Sequence, residues 1–171
     1  MASKPRTPVR RALRDDSPLL IAVVDGFGAV AKKDHDCFEE SIRSRFTDSL
    51  DLDKALKPGR DREHRWDYLL GHGPSMRIVA VEPHSAKQDQ ISRIIEKRRQ
   101  ARDQLKEHLR PGARVTQWLW VASGSVQFAD TEKARRLLDQ NGIEFVGRQV
   151  RAKHLPEAAS SPTRSRRGRS L

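Results

Sequence analysis

The chain has 171 residues, with 34 Lys and Arg against 23 Asp and Glu and a formal net charge of +11; its length favours one domain. One cysteine, Cys37, excludes a disulfide framework within the chain and fits a reducing compartment. No apolar run reaches the ~18 residues needed to span a membrane, so a cytoplasmic protein without a membrane partner is expected.

The basic excess is uneven. Residues 1–16 carry a net +3 and residues 147–171 a net +6, which leaves about +2 for the middle. Basic ends attract any polyanion, so nucleic acid, DNA or RNA, is the expected partner, with a protein partner also open. Met1 to Ser17 shows no apolar period and reads as a disordered basic tail. Leu19 to Val24 is apolar but ends at Asp25 after six residues, short of the ~7–15 of a secretory leader. It reads as a buried strand. Asp25-Gly26 then suggests a hairpin turn, favoured over a phosphate cradle made with Gly28.

Residues 34–49 read as a helix capped by Asp34 or Asp36, with Cys37, Phe38, Ile42 and Phe46 at partly helical spacing. Glu39 and Glu40 fall in its first turn, where the helix dipole favours acids. Residues 51–63 are polar, and Pro58-Gly59 marks a loop.

Arg65 to Lys87 is the chemical centre. Asp67 precedes one apolar segment, Gly71 to Pro74 form a turn, and a second apolar segment, Met76 to Val81, ends in Glu82. Pro83 cannot donate to a ladder, so the strand is expected to stop there. His84 and Lys87 follow. Ile78-Val-Ala-Val predicts a central strand covered on both faces.

Residues 88–109 predict a long helix, with Ile91, Ile94, Ile95, Leu105 and Leu109 on one face. Arg98 and Arg102 fall inside that stripe, and Glu82 is a candidate partner for them. Residues 115–122 read as a strand with Trp118 and Trp120 on one face, packed under a helix. Ser123-Gly124-Ser125 suggests a turn into a return strand, followed by a helix capped at Asp130 or Thr131 and closed by Asn141-Gly142. Residues 143–146 are a last strand. From Arg148 the chain reads as a disordered basic tail, which places the domain at residues 18–147.

The six histidines are scattered without the short spacing of zinc ligands. Ser123-Gly124-Ser125 lacks the flanking glycines of a nucleophile turn.

The order helix, strand with Asp67, strand ending in Glu82, long helix, strand resembles the PD-(D/E)xK nuclease superfamily over roughly residues 35–122. The resemblance implies an α/β fold, with α+β as the alternative: one domain, a mixed central sheet flanked by helices and a restriction-endonuclease-like core. It implies that Asp67 and Glu82 hold Mg²⁺, with Glu39 as a further acid, for phosphodiester hydrolysis of nucleic acid. The family's lysine position, two residues after the Glu, is His84 here, and Lys87 is the substitute. No Pro precedes Asp67, and a hairpin symmetric about the turn would set Asp67 opposite Ile78. The alternative is a non-catalytic nucleic-acid-binding or interaction module on the same scaffold. WDYLLG followed by VEPHSAK also resembles a pattern in bacterial proteins, which brings no activity with it.

Overall fold

Successive side chains of a strand point to opposite faces. Four consecutive apolar residues, Ile78 to Val81, therefore need cover on both sides of a sheet. All four are at most 4 % exposed. Ile78 and Ala80 join one core cluster, Val79 and Val81 the other. The computed structural model describes residues 6–58, 64–127 and 132–159. Among them six strands form one sheet in chain order: β1 (Val24–Asp25), β2 (Phe46–Asp51), β3 (Tyr68–His72), β4 (Arg77–Ala86), β5 (Gln117–Val126) and β6 (Ile143–Phe145). The helices are α1 (Pro8–Ala12), α2 (Glu40–Arg43), α3 (Leu52–Leu56), α4 (Ile91–Leu105) and α5 (Glu132–Gln140), with several 3₁₀ turns.

β1 to β4 form an antiparallel meander. β5 and β6 run parallel to β4 and are reached through α4 and α5, because a parallel neighbour needs a long crossover. The protein is α/β, a mixed sheet flanked by helices. Residues of α1, α3, α4 and α5 pack on one face with Trp66, Trp118 and Trp120. Phe38, Ile42, Val150 and Leu155 cover the other. Both strand tryptophans lie under helices as expected, 6 % and 0 % exposed. No helix among the described residues is long and apolar enough to cross a membrane.

The domain is wider than residues 18–147. Val9 and Leu13 are fully buried, so the N-terminal segment from Arg6 belongs to the core. The spacing Val9, Ala12, Leu13 is one helical face, short enough to hide among arginines. Asp48 accepts the N–H groups of Val9 and Arg10 (3.2 and 3.0 Å), which seats the first turn of α1. At the other end Val150 is fully buried and bridges to Phe38, and Leu155 is 9 % exposed. Residues 1–5 and 160–171 lie outside the described residues.

The strand expected at Leu19–Val24 is a 3₁₀ turn, Pro18–Ala22, with Ile21 93 % exposed. Ser17 caps it by accepting the Leu19 N–H, and Pro18 fits its first position. The chain turns at Gly26 (φ 64°), yet β1 pairs with β2 and not with residues 28–31. Residues 34–49 are not one helix. A 3₁₀ turn (Lys32–Cys37) and α2 precede β2, in which Asp48, Ser49 and Leu50 are all buried and Thr47 is exposed. A bulge between Phe46 and Asp48 moves Phe46 to the opposite core from Leu50. The polar stretch after Asp51 begins with α3, capped by Asp51 accepting the Lys54 N–H and anchored by buried Leu52 and Leu56; residues 59–63 lie outside the described residues. Ser123 to Ser125 continue β5 and do not turn. The return strand and the cap at Asp130 or Thr131 fall largely on residues 128–131, also outside the described residues. α5 closes at Gly142 (φ 69°) as expected.

Candidate functional site

The β3–β4 hairpin sets the geometry. Its turn is Gly73 to Met76, not Gly71 to Pro74. His72 pairs with Arg77 and Tyr68 with Val81. Met76 takes a left-handed conformation (φ 59°), and Ser75 Oγ lies 2.7 Å from His72 Nδ1 and accepts the Arg77 N–H. The hairpin is symmetric about this turn, which brings Asp67 level with Glu82; a turn at Gly71 to Pro74 would have set it opposite Ile78. The Asp67 N–H donates to Glu82 Oε2 (2.8 Å), and the Asp67 carbonyl accepts from Leu52 N at the start of α3 (2.8 Å).

β4 also does not stop at Pro83 but runs to Ala86. Ile78 O accepts from Thr116 N, ahead of β5, so even-numbered residues of β4 turn their backbone toward β5 and odd-numbered ones toward β3. Pro83 therefore points its missing donor past the end of β3, whose last partner is Val81. The proline costs no ladder bond, and Glu82 lies inside the sheet, 1 % exposed.

Asp67, Glu82 and His84 share strand parity with Leu69, Ile78 and Ala80, on the face that α4 covers. From α4, Lys97 forms an ion pair with Glu82 Oε1. Its side chain is 13 % exposed. Lys97 is the residue of this centre that the sequence analysis did not single out. Its position between Ile94 and Ala101, three and four residues away on the same face, was the available signal.

Burial, with the neighbouring Asp67 charge, pushes the Glu82 carboxyl up to about 8, and Lys97 opposes this. Burial likewise pushes Asp67 up to about 6; Lys97 opposes it and the charges of Asp53, Asp34 and Asp51 add to it. Among the described residues the Asp67 carboxylate accepts no hydrogen bond and has no ion-pair partner. The nearby Arg65 is directed to Asp53 (2.9 Å). Burial also depresses His84 below the usual imidazole range, with Lys97 and Arg93 adding to the effect and Gln90 opposing it. His84 Nε2 lies 2.7 Å from Gln90 Oε1 and Nδ1 lies 3.8 Å from Glu82 Oε1. A depressed imidazole is neutral near pH 7, so the cation of this site is Lys97.

The structure brings Asp67, Glu82 and His84 together. Lys87 follows the end of β4, exposed, with no bond to either carboxylate. Glu39 precedes α2, its N–H donating to Val150 O, next to Phe38 of the opposite core; it stands on the other face of the sheet. Neither Arg98 nor Arg102 meets Glu82. Arg98 lies over the Trp118 ring, 5.5 Å from its centroid. Among the described residues no group of three or more His, Cys, Asp or Glu side chains is placed to hold a metal ion. Two carboxylates remain, which is the number Mg²⁺ commonly takes from protein beside waters and substrate phosphate. The carboxylate of Asp67, without a donor among the described residues, fits such an ion; Glu82 fits it only if Lys97 yields Oε1. No family model, curated protein or solved structure matches the chain.

Proposed function

We propose that the protein is a divalent-metal-dependent phosphodiesterase acting on nucleic acid, with a PD-(D/E)xK-like, restriction-endonuclease-like core. The observation that supports this most is the Asp67 carboxylate, half-buried and beside Glu82 without a donor among the described residues. Two acids side by side, their carboxyls pushed upward by burial, would have their charge offset by a bound cation. In this reading Asp67 and Glu82 hold Mg²⁺, which when bound lowers the pKa of a water and offsets charge at the phosphate. Lys97 supplies the positive charge that the lysine two residues after the Glu supplies in the nuclease family. Released from Glu82, it orients toward the scissile phosphate and stabilises its developing negative charge. His84, neutral and held by Gln90, accepts a hydrogen bond or a proton at Nδ1.

The test is Mg²⁺ and Mn²⁺ titration by calorimetry at pH 8, followed by hydrolysis assays on single- and double-stranded DNA and RNA. Wild type is expected to bind metal, Asp67→Asn and Glu82→Gln to lose binding, and Lys97→Met to bind metal while losing at least tenfold in turnover. A wild type that binds neither ion, with or without nucleic acid, ends this reading.

A specific observation favours a second reading, a non-catalytic nucleic-acid-binding or interaction module. Both Glu82 oxygens already have partners, the Asp67 N–H and Lys97. A structural ion pair that excludes metal would leave all ions unbound and Lys97→Met destabilised.

A further inference from the structure

A second site lies on the other flank of α4. Lys97 and Arg98 diverge there: the first goes to Glu82, the second to Trp118. Beyond Arg98 opens a cleft of about 710 Å³ between the end of α4, the turn that follows it and the start of β5. Six basic side chains line it and no acidic one does. Two of them are already engaged, Lys106 with Asp103 (3.2 Å) and Arg110 with Asp15 (2.6 Å). Arg14 donates to the Leu109 carbonyl. Arg98, Arg102 and Arg114 have no acidic partner among the described residues.

Arg98 is the central one. Its Nε is buried and has no hydrogen-bond partner among the described residues. Gly142 leaves the room for its guanidinium, since a Cβ there would come within 2.8 Å of Arg98 Nη2. Three guanidinium groups in one cavity, without an acidic partner among the described residues, repel one another and are stabilised by an anion that can bridge them. Apart from Thr116 the rest of the lining is apolar, with half-buried Leu109 and Val115 beside Trp118. The volume falls within the range of small-molecule sites.

We propose that this cleft binds a phosphorylated organic ligand of nucleotide size, its phosphates on Arg98, Arg102 and Arg114 and its less polar body against Leu109 and Val115. The same chemistry has two sources, a free nucleotide or the phosphorylated end of a nucleic-acid strand. The site does not depend on the metal reading, because none of its residues belongs to the carboxylate centre.

The experiment titrates the full chain with adenosine 5′-diphosphate, and separately with 5′-phosphorylated and 5′-hydroxyl forms of one short oligonucleotide. EDTA is present throughout, so the carboxylate centre takes no part. Arg102→Glu and Arg114→Glu, both at exposed positions, are compared with wild type after thermal melts confirm folding. Each reversal is expected to weaken binding at least tenfold, while Glu82→Gln leaves it unchanged. Tighter binding of the diphosphate assigns a free nucleotide. A preference for the 5′-phosphorylated strand over both other probes assigns a strand end. The proposal is overturned if neither phosphorylated probe binds, or if both reversals bind as wild type does, since the basic ends of the chain would then account for any affinity.

Discussion

Asp67 carries more than one consequence. An acid whose pKa is raised on folding binds more protons in the native state than in the unfolded one, so its contribution to stability falls as pH rises. For Asp67 that fall runs from its ordinary value near 3.8 to about 6, and the full cost is present above. Asp67→Asn removes it. Urea titrations should find the variant equal to wild type near pH 3.5 and more stable by about 1–2 kcal/mol at pH 8, a figure reduced because the group is half-exposed. If metal binds as proposed, saturating Mg²⁺ should shrink that gap in favour of wild type; a gap of the opposite sign at pH 8 would mean Asp67 is stabilised by something other than a cation. Gly71 makes a second residue-scale case. It faces Asp48 across β2 and β3, and a Cβ would run into Asp48 Oδ1. Gly71→Ala should cost about 2–4 kcal/mol, because either strand moves or Asp48 leaves the α1 N–H groups unpaired. The sequence identified Asp67, Glu82 and His84 as one centre because acids at strand ends are conspicuous. It could not identify Lys97, whose role depends on where a helix lies over a sheet.

At the scale of elements, α1 is five residues long and unstable alone. Asp48 and the core hold it. Asp48→Ala removes the acceptor for two N–H groups and should cost about 1–2 kcal/mol, with limited proteolysis appearing first between Arg6 and Arg14. Leu13→Ala should cost about 2–5 kcal/mol as a cavity in a fully buried position. Elements with a long single period were legible: β4, α4, and α5 with its glycine stop. Elements that depend on distant partners were not. α1 carries three apolar residues among arginines, and its partners Asp48 and Arg110 lie far along the chain. β2 has the spacing of a helix only if the bulge beside Phe46 is unknown. The hairpin turn was expected two residues too early, since the position of a turn decides which residues face one another and Met76 gives no sign of its left-handed backbone.

For the whole molecule, charge and core separate. Residues 160–171 contain Arg164, Arg166, Arg167 and Arg169. Deleting them should weaken binding to unrelated DNA or RNA and lower the slope of log affinity against log salt by about 3–4, measured by fluorescence anisotropy. The core is less forgiving. A chain cut to residues 18–147 lacks Val9, Leu13, Val150 and Leu155, and should bind hydrophobic dyes and lose near-ultraviolet dichroism, whereas one spanning residues 6–159 should keep both native signatures. The bridge between Phe38 and Val150 carries this into synthesis. The ribosome delivers Phe38 more than a hundred residues before the strip that covers it. The Phe38 face of the sheet therefore waits, uncovered and prone to self-association, until nearly the whole chain has emerged. Only a chain halted after β6 (Ile143–Phe145) and before Val150 carries all six strands while lacking the residues that close its second face.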